Sequence, residues 1–408
     1  MQPTGFLRAT LLRRQAGGLG HWRCKSSLAE VTARVLSEGK ANSTTGHGAF
    51  PGPSLSTLEE LTASMPPQPV SILMLTSWAR VTKPEGRLLQ AKFIRNELIA
   101  RRAHILTLLH SMPEPLGNQP ALASWVNVYW ERLRDLLERP EPQTHEEERI
   151  FAELCKERNA QIGSIGTAAE ETMLVEALQR VQQERGSEWW ATHPEERHAV
   201  DRHLDAIFLA RIGLRFLLEF HVACDTPREG FAGVLETRCS PVAQLQSLAI
   251  DVQSAVTAEH GDAPRIEVVG DGSQTFTFVP SHIAFVVGTL LTNSSVATLR
   301  HHHRQQAAGR IAPGEPLPPV KAIVAVSDEA VQLKLEDRAG GIKRSSLINV
   351  WSYRALDSSW WRPKDGLSLP LARLYCIYFG GDVSLVGPYE TRRRGHAHAR
   401  AHAIAKGA

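Results

Sequence analysis

The sequence predicts an α+β protein of two domains, an N-terminal four-helix bundle followed by a mixed α/β sandwich. Three observations carry this expectation. The chain has 408 residues, more than one ordinary hydrophobic core organises, so two domains are the natural division. Across residues 85–226, long segments with an apolar stripe are separated by short proline-containing breaks, the pattern of a helix bundle. After Pro227 the texture changes to short strand-like runs with glycine punctuation, which suggests a sheet with helices on one face over residues 227–408.

The first segment, residues 1–30, carries Arg8, Arg13, Arg14, Arg23 and Lys25 before its first acidic residue, Glu30, with Phe6, Leu7, Leu11 and Leu12 as an apolar patch. This is the composition of a mitochondrial transit peptide; a disordered basic tail is the plainer alternative. Without those five cations the formal net charge falls from +3 to −2, so a general nucleic-acid binder is not expected. No run approaches the roughly 18 uncharged apolar residues of a membrane span. The five cysteines show no CxxC spacing; they suggest neither a zinc site nor a disulfide framework and suit a reducing compartment.

Residues 39–69 are rich in Gly, Ser, Thr and Pro, and the segment 31–84 around them reads as a loosely ordered arm. Over 86–112 the pattern turns helical, with Ile94, Leu98, Ile105 and Leu109 on one face and Pro113 and Pro115 as the stop. Further helices are expected over 121–137, within 146–185, and over 195–224, the last burying Leu204, Ile207, Phe208, Ile212 and Leu218. In the second domain, strands are expected at 265–269, 274–279, 321–327, 330–335 and 383–386, with helices over 281–300 and 370–379. The alternation in HAHARAHAIA reads as a polar-edged final strand. The cluster His301 to His303 reads as the solvated end of its helix, and neither histidine group reads as a metal site.

Several segments carry a resemblance. KFIRNELIARRAHILTLLHSMP (92–113) is similar to an F-x-x-x-E-L-P-V-R-x-A-H helix, and LARIGLRFLLEFH (209–221) to an S-R-x-G-x-R-M-L-x-x-x-H helix, with Arg211 and Arg215 in register. FVPSHIAFVVGTLLTNSSVATL (278–299) is similar to the box P-S-H-x-x-x-x-x-x-E-L-x-K-N-A-x-R-A, LEDRAGGI (335–342) to S-D-R-G-G-G-I/V, and DGLSLPLARLY (365–375) to G-x-G-x-G-L-P-x-S-R-x-Y. These boxes, in this order, are those of the mitochondrial branched-chain 2-oxoacid and pyruvate dehydrogenase kinases, which the chain resembles as a divergent member. EGFAGVLETRCSP (229–241) and GDAPRIEV (261–268) look closer to the branched-chain member. The resemblance implies a second domain of the GHKL or Bergerat ATP fold, with ATP and Mg²⁺ as cosubstrate and cofactor. It also implies phosphorylation of a serine on an oxoacid dehydrogenase subunit in the mitochondrial matrix. The implied partners are that complex, its lipoyl domain docked on the bundle, and a second copy or a paralogue in a dimer.

On the expected 281–300 helix, Thr289, Thr292, Asn293 and Val296 fall at i, i+3, i+4 and i+7 and share a stripe. The resembled family presents Glu, Lys, Asn and Arg there; of these only Asn293 is kept. An amide oxygen suits Mg²⁺, and an ordinary polar helix residue is the plainer reading. Thr289 stands at the position of the family's general base, and a hydroxyl cannot accept a proton at neutral pH. Arg158 stands where the family pairs that base with a bundle histidine. Asp337, ahead of Gly340 and Gly341, aligns with the carboxylate that accepts the adenine amino hydrogen, although a strand-end Asp before a glycine turn is also a common structural feature. Gly341, Gly366, Leu369 and Thr391 complete the nucleotide set implied by the resemblance. Two outcomes stand open: a Ser/Thr protein kinase, or a catalytically impaired pseudokinase that regulates by binding a lipoyl domain or an active paralogue.

Overall fold

The computed structural model describes residues 27–45, 51–81, 84–162, 169–186, 188–327, 330–342, 349–353, 367–386 and 400–406. The expected transit segment up to residue 26, Gly366 and Thr391 lie outside the described residues.

Three helices, α1 (Leu28–Thr45), α2 (Leu55–Ser64) and α3 (Ile72–Ala79), occupy the region that composition marked as a loose arm. That expectation is corrected: Val31, Val35, Leu58, Leu61 and Leu75 are fully buried, so these helices belong to the bundle core. The polar residues that suggested a loop act as caps and ties instead. The Ser54 and Thr57 hydroxyls donate to the Glu38 carboxylate at 2.8 and 2.9 Å, and Ser71 accepts from the Met74 amide at 3.1 Å. Gly39 is needed where α1 crosses Trp130, because a Cβ there would lie 2.0 Å from the indole ring.

The bundle continues with α4 (Pro84–His110), α5 (Pro120–Glu138), α6 (His145–Ile162), α7 (Ala169–Arg185), the one-turn α8 (Trp189–Thr192) and α9 (Pro194–Asp225). The helix α4 packs against α2, α5, α6 and α9. Its stripe Ile94, Leu98, Ile105 and Leu109 is buried as its spacing predicts, as is the α9 stripe from Leu204 to Leu218. The third expected helical segment is two helices, α6 and α7.

Beyond α9 come β1 (Phe231–Ala232), β2 (Leu235–Cys239), α10 (Pro241–His260), β3 (Ile266–Val269), β4 (Phe276–Phe278) and α11 (Pro280–Ala307). They are followed by β5 (Val320–Val326), β6 (Ala330–Glu336), α12 (Ser368–Tyr378), β7 (Asp382–Val386) and β8 (Arg400–Lys406). A small sheet of order β1-β2-β4 is antiparallel. The larger sheet has order β3-β5-β6-β8-β7, with β3 and β5 parallel and the other pairs antiparallel. Helices α10, α11 and α12 pack on it, and β5 shows the one-sided cover: Val320, Ala322 and Val324 are buried while Lys321 and Ala325 are exposed.

Two further expectations change. The sequence reading left α10 unassigned, although Val242, Leu245, Ala249, Val252 and Val256 form a buried helical stripe. Of the segment HAHARAHAIA, residues 396–399 lie outside the described residues and the rest is in β8, the last strand, which pairs with both β6 and β7, a place in the sheet that alternation alone does not fix. Helix α11 is 28 residues long and, by length and composition alone, apolar enough to cross a membrane. Its packing against α10, α12 and the sheet gives those apolar residues a core to fill instead. The two halves meet where Phe216 of α9 contacts the rings of His282, Tyr378 and Phe379 at centroid distances of 5.7, 6.3 and 5.4 Å.

Candidate functional site

The candidate site forms where α11 passes the end of β6. On α11, Leu290, Leu291, Ser294, Ser295 and Thr298 are buried against the core, while Thr289, Thr292, Asn293 and Val296 are only half-buried. The stripe picked out by spacing is therefore the face that packing leaves accessible. Asn293 has a buried amide nitrogen without a hydrogen-bond partner among the described residues, so that edge of the side chain is not engaged by the fold. An amide so placed fits a single oxygen contact to Mg²⁺, which takes its remaining ligands from phosphates and water.

Asp337 follows β6 directly. Leu333 and Leu335 anchor the strand in the core, which delivers the carboxylate, 7% exposed, to the strand end. It accepts from the Ala339 amide at 3.1 Å. Burial pushes its pKa up to about 6, against the opposing effects of that hydrogen bond and of the Ser294 hydroxyl. The next turn uses Gly340 and Gly341 at φ +80° and +78°, a region that glycine alone enters freely. A Cβ on Gly340 would lie 2.4 Å from the His301 ring.

Helix α11 packs on β6, and its His301 meets the turn after that strand, so Asn293 and Asp337 lie on elements in contact. Thr289 lies one turn before Asn293 on the accessible stripe. Leu369 is buried in the first turn of α12, and Gly341 sits in the turn after Asp337.

Arg158 is placed differently. Its guanidinium donates to Asp135 at 2.8 Å and to Gln161 at 3.2 Å, and with Arg102 and Arg132 it borders a small cavity inside the bundle. Helix α6 packs on α4 and α9, whereas α11 packs on α10, α12 and the sheet. The charge of Arg158 is met by Asp135 of α5. The expected solvated histidine cluster is also corrected: His302 is 7% exposed and its Nε2 lies 3.0 Å from the Glu315 carbonyl, which ties α11 to the following loop.

Sequence reasoning missed His301 and the segment 349–353. The last is fastened to α9: the Ser352 hydroxyl donates to Asp201 at 2.7 Å, the Tyr353 amide to Asp201 at 3.1 Å and the Tyr353 hydroxyl to Asp205 at 2.7 Å. The Tyr353 ring stacks on Phe208 at 5.5 Å. Burial raises the pKa of Asp201 and takes that of Asp205 up to about 6, with the Tyr353 hydrogen bond opposing. A carboxyl whose folded pKa is raised is held best in its protonated form. Its contribution is complete below the unfolded value of 3.8 and is lost as pH climbs through about 6. Asp205→Asn retains an acceptor for Tyr353 and removes the buried charge. We expect its melting temperature to fall less than that of the parent between pH 5 and pH 7.5, with a gain on the order of 1–2 kcal/mol at the upper end, read by thermal unfolding at each pH.

With this geometry in place, comparison with known proteins is direct. The sequence profile of the mitochondrial branched-chain alpha-ketoacid dehydrogenase kinase matches residues 69–236. A mitochondrial pyruvate dehydrogenase (acetyl-transferring) kinase of Arabidopsis thaliana is 30% identical over 326 residues, covering 75% of this chain and 83% of that protein. The chain belongs to the mitochondrial dehydrogenase kinase family. Among other members of this family, the pyruvate dehydrogenase kinase of Schizosaccharomyces pombe is 32% identical over 209 residues, 46% of this chain and 47% of that protein. Isozyme 4 of Mus musculus is 24% identical over 349 residues, 80% of this chain and 79% of that protein. All three kinases are named mitochondrial, which agrees with the cationic N-terminal composition, and the chain is a mitochondrial protein. At such identities the chain is a divergent member of the family, and the profile match runs from just before α3 through the bundle into β2.

Proposed function

We propose that this chain is a mitochondrial-matrix Ser/Thr protein kinase with a GHKL-type nucleotide domain, which uses Mg-ATP to phosphorylate a serine of an oxoacid dehydrogenase subunit. Transfer is slowed by the missing base at position 289. The observation that supports the nucleotide assignment is the buried Asp337 carboxylate at the end of β6, ahead of a glycine turn that meets His301 on α11, the helix that carries Asn293. Asp337 offers acceptor oxygens to the adenine amino group, and Asn293 offers one oxygen to Mg²⁺. Bound Mg²⁺ would neutralise phosphate charge, while Thr289 and Thr292 supply hydroxyls without charge to the same face. The boundary between bundle and nucleotide domain falls near residue 227 in this reading. Docking of a lipoyl domain on the bundle, and pairing with a second copy or a paralogue, are part of the same proposal.

A second reading, regulation by occupancy of a lipoyl domain or an active paralogue, is favoured by one observation. Arg158 is paired with Asp135 within the bundle, so its charge is already met away from any nucleotide, and Thr289 offers a hydroxyl in place of a base. The first experiment is Mg-ATP binding by thermal shift on the full chain, compared with Asp337→Asn. The parent is expected to be stabilised by Mg-ATP and the variant to lose that response. A parent that shows no response while still capturing a lipoyl domain would leave the occupancy reading standing and remove the kinase.

A further inference from the structure

We propose that the cavity between the larger sheet and helices α10, α11 and α12 is a binding site for a compact neutral aliphatic molecule with one hydroxyl, anchored by the imidazole of His282. The cavity has a volume of about 70 Å³. Its wall is apolar, formed by Leu245 of α10, Ile283 and Val286 of α11, Val324 of β5, Leu333 of β6 and Phe379 just beyond α12. His282, in the first turn of α11, belongs to the same wall. That turn lies about two turns before Thr289, and none of the residues assigned to the nucleotide borders the cavity. The inference therefore stands apart from the nucleotide reading.

The unusual member of this wall is the histidine. It is 2% exposed, and its Nδ1 has no hydrogen-bond partner among the described residues. The ring lies among others, 4.9 Å from Tyr375 and 5.3 Å from Phe379 between centroids, surroundings that a Phe would fill equally well. An imidazole there forfeits its hydration, which costs free energy unless a partner replaces the water. Burial and the nearby Arg215 charge push its pKa down to about 3, so the ring is neutral and offers one N–H donor and one acceptor. Water is poorly held in such a place, because a buried water needs roughly two to four polar partners. A carboxylate or ammonium is opposed by the cost of stripping a charge of its solvent. The chemistry that fits is a carbon body for the wall and a hydroxyl, both donor and acceptor, for the imidazole. The space is about half that of the engineered apolar cavity that holds benzene, which limits the body to about three or four carbons.

The test titrates propan-2-ol and 2-methylpropane, in which a methyl replaces the hydroxyl, into the full chain. Binding is read from the methyl NMR signals of Leu333 and from the ring nitrogens of His282, in the parent, His282→Phe and Val286→Phe. Both probes are expected to shift the Leu333 methyls of the parent, and only propan-2-ol to move the His282 nitrogen signals. In His282→Phe, which keeps the ring and loses the nitrogens, the affinity for propan-2-ol relative to 2-methylpropane is expected to fall about tenfold, the worth of one hydrogen bond. Val286→Phe fills the cavity and should abolish both responses; should it fail to fold, the comparison of parent with His282→Phe decides alone. A parent whose Leu333 methyls respond to neither probe would overturn the proposal. So would an equal preference in the parent and His282→Phe, which would leave a void without an anchor, and so would responses undiminished in Val286→Phe, which would put the probes elsewhere.

Discussion

Thr289→Glu is expected to raise phosphoryl transfer to the dehydrogenase subunit by about 10²-fold or more, the lower end of what a positioned general base contributes. Position 289 is one helical turn before Asn293 on the face of α11 that the core leaves accessible, so a carboxylate there reaches the space beside Asn293 without displacing a buried group. The gain should appear in kcat with little change in the Kd of Mg-ATP, because a base acts on the attacking hydroxyl and not on the nucleotide. Arg158→His alone should add nothing, since residue 158 faces Asp135 within the bundle. Single-turnover transfer of labelled phosphate is the measurement. An unchanged rate in a variant that binds Mg-ATP like its parent would mean that position 289 is not directed at the reacting atoms, and occupancy would then be the better account of the protein.

Much of the bundle could be read from spacing alone, because helices that bury one face must repeat apolar residues every three or four positions, as α4 and α9 do. The arm failed that reading for a physical reason. Gly39, Ser54, Thr57 and Ser71 look like loop residues by composition, yet each serves a helix through a close approach, a side-chain tie or a cap. In the second half, strands β5 and β6 announced themselves by alternation, while the order of the sheet depended on long-range pairing that no local pattern encodes; β8 is the case in point. The site was half legible. Asn293 and Asp337 were marked by the boxes around them, and the accessible stripe by its period. His301 was not, since its ring acquires meaning only when Gly340 of the turn after β6 is known to lie against it. Arg158 shows the converse: alignment proposed a role, and a neighbouring carboxylate took the side chain.

Arg101→Met is expected to destabilise the protein by about 3–5 kcal/mol at pH 7.5, the range for breaking a buried ion pair from one side. Arg101 and Glu97 are one turn apart on α4, both nearly inaccessible, with Nε and Nη2 each 3.1 Å from Oε2. They also grip the arm: the Gln68 amide donates to Glu97 at 2.9 Å and Arg101 donates to the Gln68 carbonyl at 2.9 Å. Gly213 of α9 makes room for this, since a Cβ there would stand 2.3 Å from the guanidinium. Burial already raises the pKa of Glu97, with the Gln68 amide and Arg101 holding it down. Removing the cation raises it further, so the variant's deficit should be largest above that raised pKa and shrink as pH falls and the carboxyl takes up a proton. Glu97→Gln combined with Arg101→Met should recover much of the loss, because no buried charge is then left alone. Denaturant unfolding of the three proteins at pH 7.5 and 5.5 decides it. A deficit under about 1 kcal/mol for Arg101→Met would place the pair in the range of solvated surface bridges and would leave the docking of the arm to its apolar contacts.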